Sequence, residues 1–82
     1  MHYLYVLKGK KSSKSYVGIT SDLTSRLKEH NSSQNLSTKY DKWTLVYYEA
    51  YLNKELAVDR ENKLKNHGKG LQELKKRIGF ES

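Results

Sequence analysis

The sequence predicts an α+β fold: a three-stranded antiparallel sheet flanked by helices, in the order ββαβαα. Three observations carry this expectation. His2-Tyr3-Leu4-Tyr5-Val6-Leu7 and Ser15-Tyr16-Val17-Gly18-Ile19 are aromatic and branched runs separated by one hairpin-length connection. Trp43 to Tyr51 is a third run of the same character. Between and after these runs, apolar residues recur at helical spacing. The chain of 82 residues suffices for one domain, expected over residues 1–82. It has no Cys and no Pro, which excludes a disulfide scaffold, a zinc finger, a cysteine nucleophile and a Pro-rich linker. Hydrophobic residues make up only 35%, so the core must be thin, but seven Tyr, one Trp and eleven Leu argue against disorder.

Each element has a local reason. In the first strand both alternating sets of side chains are apolar, as befits a central strand covered on both faces. Gly9 to Lys14 is a Lys/Ser/Gly connection to the second strand. Thr20-Ser21-Asp22 offers three N-caps ahead of Leu23, Leu27 and His30, which predicts a first helix over about 22–30. Asn31 to Lys42 is polar and reads as a loop, long enough for a small domain to suggest a functional role. After the third strand, Asn53 can cap a second helix running to about Leu64. Gly68-Lys69-Gly70 is expected to break it. Leu71, Leu74 and Ile78 then predict a short basic third helix that Gly79 ends.

The formal net charge is +7, and it is unevenly spread. Lys8, Lys10, Lys11 and Lys14 stand near the start with no acid among residues 1–15, and residues 60–82 are again rich in bases. Two basic ends around a near-neutral middle suggest a surface for a polyanion, of which nucleic acid is the commonest inside cells. No apolar run approaches a membrane span and no leader is visible, so an intracellular, cytoplasmic protein is expected, with no membrane partner.

Three polar residues border apolar stripes. Arg26 and His30 are neighbours on the first helix beside Leu23 and Leu27, and Glu61 lies between Ala57 and Leu64 on the second. Each has a structural alternative. Arg26 can pair with Glu29 or Asp22, Glu61 with Lys65, and His30 can simply complement a helix C-terminus. Together, a guanidinium suits phosphate binding and a carboxylate suits a hard divalent cation, the combination phosphodiester chemistry requires. Tyr16 and Gly18 share a strand face, and Gly18 would leave backbone exposed to close approach by a ligand. Tyr5 and Tyr16 add phenols, which can donate to a phosphate or, once deprotonated, act as a base.

These residues resemble the GIY-YIG nuclease superfamily, in particular small stand-alone members similar to the amino-terminal nuclease domain of the bacterial excinuclease. Tyr3-Leu4-Tyr5 stands where the family has Gly-Ile-Tyr, and Tyr16-Val17-Gly18 where it has Tyr-Ile-Gly. The stretch from Ile19 to Asn31 resembles the first-helix motif with its Arg and His. Leu45-Val46-Tyr47-Tyr48-Glu49 resembles the third strand, and Asp59-Arg60-Glu61-Asn62-Lys63-Leu64-Lys65 the motif whose Glu binds the metal. Ile19 stands where some relatives place a Lys, and Asn62 and Asn66 lie too near Glu61 to serve as the family's distal Asn.

The resemblance implies a divalent-metal-dependent DNA endonuclease acting in repair or recombination. Glu61 would ligate one Mg²⁺ or Mn²⁺ ion and Arg26 would hold the scissile phosphate. Tyr16 would be the general base, with Tyr5 hydrogen-bonded nearby and His30 assisting proton movement. Lys8, Lys10, Lys11, Lys14, Lys69, Lys75, Lys76 and Arg77 would grip the DNA backbone without reading sequence. A monomer is expected, with a dimer as the alternative. Two other readings stand beside this one: a non-catalytic nucleic-acid-binding module of the same fold, and a protein-interaction module whose charge serves solubility.

Overall fold

β1 (His2–Gly9) is the middle strand of a sheet ordered β2-β1-β3, with β2 (Ser15–Thr20) and β3 (Trp43–Tyr51) antiparallel to it on either side. The structure, a computed structural model, describes residues 1–31, 42–66 and 68–80. α1 (Leu23–Asn31) follows β2, while α2 (Lys54–Asn66) and α3 (Gly68–Ile78) follow β3, giving the order ββαβαα. The expected loop over Asn31–Lys42 falls largely outside the described residues.

Alternation along β1 divides the core in two. Leu4 and Val6 point to one face, where they pack with Val17, Leu64, Leu74 and Phe80. Tyr5 and Leu7 point to the other, with Trp43, Tyr16, Leu23, Leu27 and Leu45. α1 therefore covers one face and α2 with α3 the other, which is why neither side of β1 carries a polar set.

A bulge decides what joins the Tyr5 face. β3 pairs Tyr47 with Val6 but Leu45 with Leu7, so Val46 is an extra residue. The insertion inverts the alternation of β3, and Tyr48 above it and Leu45 and Trp43 below it all share the face of Tyr5 and Leu7. Without it Trp43 would point away from the α1 side.

The helix starts follow their caps. Asp22 accepts from the Ser25 N–H at 3.1 Å, so of the three candidate N-caps ahead of α1 it is the one in use. Asn53 does the same for α2, accepting from the Glu55 N–H at 2.8 Å. One expectation is corrected. Gly68-Lys69-Gly70 does not separate the helices but forms the first turn of α3, which begins at Gly68. A Cβ on Gly70 would lie in ordinary contact, 3.7 Å from the Leu64 side chain, so Gly70 is not needed for backbone freedom there. Burial of Leu74, with Leu71 and Ile78 packed around it, outweighs glycine's weak helix propensity.

α3 ends as its sequence predicts. Gly79 has φ 72°, its N–H donates to the Lys76 carbonyl at 3.3 Å, and the Phe80 N–H donates to Lys75 at 2.9 Å. This pair of bonds is a Schellman motif, and it turns Phe80 back into the core. The Lys8 ammonium donates to the Phe80 carbonyl. Lys8 and Lys75 each hold Nζ 4.9 Å from the Phe80 ring centroid.

Phe80→Ala removes a buried ring and should lower unfolding free energy by about 3 kcal/mol. Gly79→Ala should cost about 1 kcal/mol through its left-handed φ alone. Urea denaturation checks both, and a Phe80→Ala loss under about 1 kcal/mol would show that the C-terminal turn is not part of the core.

Candidate active site

The site is built on the α1 face of the sheet. Tyr5 and Gly18 are register partners across β1 and β2, and Tyr16 is the partner of Leu7 one step along. A phenol leaning from β1 across the sheet thus finds glycine instead of a side chain. The fit is close: a Cβ placed on Gly18 would lie 2.5 Å from the Tyr5 hydroxyl oxygen. The space over Gly18 is therefore filled by the protein's own Tyr5, which corrects the expectation that Gly18 exposes backbone to a ligand.

From above, α1 delivers two partners to the same hydroxyl. Arg26 Nε donates to the Tyr5 oxygen at 3.2 Å, and His30 Nε2 lies 3.1 Å from it. Arg26 and His30, one turn apart, straddle the phenol. Arg26 Nη1 also donates to Glu29 at 2.9 Å, the pairing that helix spacing allowed. Among the described residues these bonds engage Nε and Nη1, and the side chain keeps 36% of its surface exposed, which leaves donor capacity on the guanidinium for an anion. The far end of α1 is tied to β3 by Asn31, whose amide donates to the Trp43 carbonyl at 3.0 Å and accepts from the Trp43 N–H at 2.7 Å.

His30 is fully buried, unusual for its residue type. Burial, with the Arg26 charge adding to it, pushes its imidazole below the ordinary value, so it is neutral near pH 7. A neutral Nε2 without a proton accepts the Tyr5 hydroxyl, leaving the phenol oxygen to accept from Arg26. Burial raises the Tyr5 phenol, and the Arg26 bond and charge pull the other way without cancelling it. Tyr5 accordingly stays protonated. Tyr16 stacks on Tyr5 with centroids 6.3 Å apart and meets His30 edge-on at 4.6 Å. Tyr5 is buried and Tyr16 only half-buried, so Tyr16 is the phenol of this cluster with access to water.

Glu61 comes from α2. Its carboxylate charge is felt at Tyr5, where it adds to the raising of the phenol, and its side chain is 18% exposed. It also pairs with Lys65 Nζ at 3.2 Å, the alternative that its spacing allowed. Among the described residues no three His, Cys, Asp or Glu side chains come together. A single carboxylate fits a hard cation that keeps several waters and does not fit a dehydrated cage.

The basic residues do not form one cluster around this site. Lys10, Lys11 and Lys14 are exposed in the hairpin connection, while Lys69, Lys76 and Arg77 are exposed on α3, across the sheet from α1. Lys8 and Lys75 converge on Phe80.

The structure also reveals a second polar cluster that the sequence reading missed. Glu49 accepts from the Tyr47 hydroxyl at 2.6 Å, from Tyr51, and from Arg60 Nε at 3.1 Å. Burial alone would raise this carboxyl, but the three donors outweigh it and hold it below the usual range. The Tyr51 phenol is pushed up to about 12 by burial and its bond to Glu49. The signal was present as Tyr47-x-Glu49-x-Tyr51, which puts an acid between two phenols on one strand face. With its donors supplied internally, Glu49 ties α2 to β3.

A family model described as the GIY-YIG catalytic domain matches residues 1–78. The chain belongs to the GIY-YIG catalytic domain family. Members of that family are generally nucleases. No curated protein and no solved structure matches the chain. The two runs that resemble the GIY-YIG motifs are the paired strands β1 and β2, with Tyr5 set against Gly18.

Two consequences are measurable. Gly18→Ala should displace the phenol and cost about 2 kcal/mol of stability, and most of that loss should vanish in a Tyr5→Leu background. An equal loss in both backgrounds would mean the contact does not matter. His30 binds its proton less readily folded than unfolded, so its contribution to stability is full above about pH 6.5 and is lost as pH falls toward the lowered folded value. Melting temperatures from pH 7.5 down to 5.5 should fall more steeply for the native chain than for His30→Gln; parallel curves would contradict the assignment.

Proposed function

We propose that this chain, as one GIY-YIG domain over residues 1–82, is a divalent-metal-dependent DNA endonuclease. The proposal extends to a repair or recombination setting like that of the bacterial excinuclease, whose amino-terminal nuclease domain it resembles. The observation that supports the reading best is the Tyr5 hydroxyl bound by Arg26 at 3.2 Å and by His30 at 3.1 Å, with the Glu61 charge felt at the same phenol. A scaffold that only bound DNA would have no need for a carboxylate whose charge reaches the phenol that holds the guanidinium.

In this reading each residue has one task. Arg26, oriented through Nε and Nη1, presents its remaining donors to the scissile phosphate and stabilises the charge that develops on it. Tyr5 stays protonated and positions Arg26. Tyr16, as general base, accepts the proton of the attacking water, and neutral His30 provides a basic neighbour for the phenol pair. Glu61 would hold Mg²⁺ or Mn²⁺, which supplies Lewis-acid polarisation of phosphate oxygens. The exposed lysines of the hairpin connection and of α3 would contribute salt-sensitive affinity.

The test is cleavage of plasmid, single-stranded, branched and RNA substrates with Mg²⁺ or Mn²⁺. Arg26→Ala and Glu61→Gln should each lower the rate on DNA at least about a hundredfold, and DNA binding should survive Glu61→Gln. Activity should be lost in Tyr16→Phe. No cleavage on any substrate, with salt-sensitive binding intact in every variant, would replace the nuclease by a binding module.

A further inference from the structure

Among the described residues, the sheet face that carries Tyr5 is covered over only part of its length. α1 packs over the end that holds Leu7, Tyr16, Leu45 and Trp43. At the other end of β3, Tyr48 and Ala50 are exposed, Tyr48 over 54% of its surface. Tyr48 is the register partner of Tyr5, which in turn is the partner of Gly18. With neighbouring strands about 4.8 Å apart, these residues form a row across the sheet: an open ring, a buried phenol, a glycine. Tyr48 also has a fixed orientation, because Tyr3 meets it edge-to-face with centroids 6.0 Å apart and planes at 68°. β3 is an edge strand, and among the described residues no strand stands beyond it.

An exposed ring of this size, on a chain of charge +7 and on the sheet face that the partly exposed Arg26 approaches, has an evident use. In a nucleic acid strand each phosphate is one sugar away from a base. A base face is available for stacking only where the base has left its own stack, because in a duplex its neighbours cover it. We propose that Tyr48, braced by Tyr3, is a stacking platform for an unpaired base of a strand whose phosphate is held at Arg26, on the same face of the sheet. The substrate class is then DNA with unstacked bases at the cut, such as a single strand, a flap or a frayed branch. The proposal rests on the nuclease reading above and narrows its substrate. Losing the ring should therefore weaken single-strand binding roughly tenfold.

The probe is a short single-stranded DNA containing one 2-aminopurine, titrated with Glu61→Gln protein so that no cleavage is needed; the fully paired duplex of the same sequence serves as comparison. Stacking should quench the 2-aminopurine fluorescence. Tyr48→Ala should abolish the quenching and weaken single-strand affinity roughly tenfold, with duplex affinity unchanged, while Tyr48→Phe should retain both quenching and affinity. Absence of quenching with Tyr48 intact, quenching that persists in Tyr48→Ala, or an equal loss of single-strand and duplex affinity would overturn the proposal. The nuclease reading is judged separately, by metal-dependent cleavage lost in Glu61→Gln with Tyr48 in place.

Discussion

The arrangement of the site depends on one close approach, that of the Tyr5 phenol to the backbone of Gly18. The hydroxyl reaches its position only because Gly18 has no Cβ; a Cβ would lie 2.5 Å away. Once there, the same oxygen satisfies two partners on α1, accepting from Arg26 Nε and donating to His30. A buried polar atom with both partners in place is a strong constraint, because leaving either unmade carries the full desolvation cost of a buried group. The phenol therefore fixes the rotation of α1 against the sheet and the direction of the Arg26 guanidinium together.

The rest of the scaffold supports that constraint from both faces. The bulge at Val46 brings Trp43 and Leu45 onto the α1 side, and Asn31 locks the end of α1 to the start of β3. On the opposite face, Glu49 with Tyr47, Tyr51 and Arg60 anchors α2 to β3, which sets where Glu61 stands. Two carboxylates on this small domain thus have opposite circumstances. Glu49 is surrounded by donors and is a tie between elements; Glu61 is shared only with a half-exposed lysine among the described residues and lies within electrostatic reach of the phenol. Burial of His30 completes the contrast, keeping an imidazole neutral beside a guanidinium that is always charged.

Much of this is legible in the sequence alone. The strands, their order and the helix caps follow from branched runs, turn residues and capping side chains, and Gly79 is the glycine its position requires. Arg26, His30 and Glu61 could be singled out because they border apolar stripes, and the structure groups the first two with Tyr5 and Tyr16. What sequence could not give is register. Whether Gly18 faces a ligand or Tyr5 depends on which residue of β1 lies opposite, and the bulge that puts Trp43 and Tyr48 on one face is invisible in a pattern of alternation. The first turn of α3 was misread for a related reason: glycines mark a break only when no burial downstream outweighs their propensity, and here Leu71, Leu74 and Ile78 supply it. Basic residues were read as one surface because charge along a chain says nothing about which side of a sheet it reaches.

The proposed function makes one central claim, that Glu61 and the Tyr5–Arg26–His30 cluster form one metal-assisted phosphate site. The most direct measurement is paramagnetic broadening of the protein's nuclear magnetic resonance signals by substoichiometric Mn²⁺. The account predicts that the Arg26 Nε–H and the Gly18 amide broaden first, and that Glu61→Gln abolishes the effect. Broadening centred on Glu49 or Asp59, or unaltered by Glu61→Gln, would contradict it.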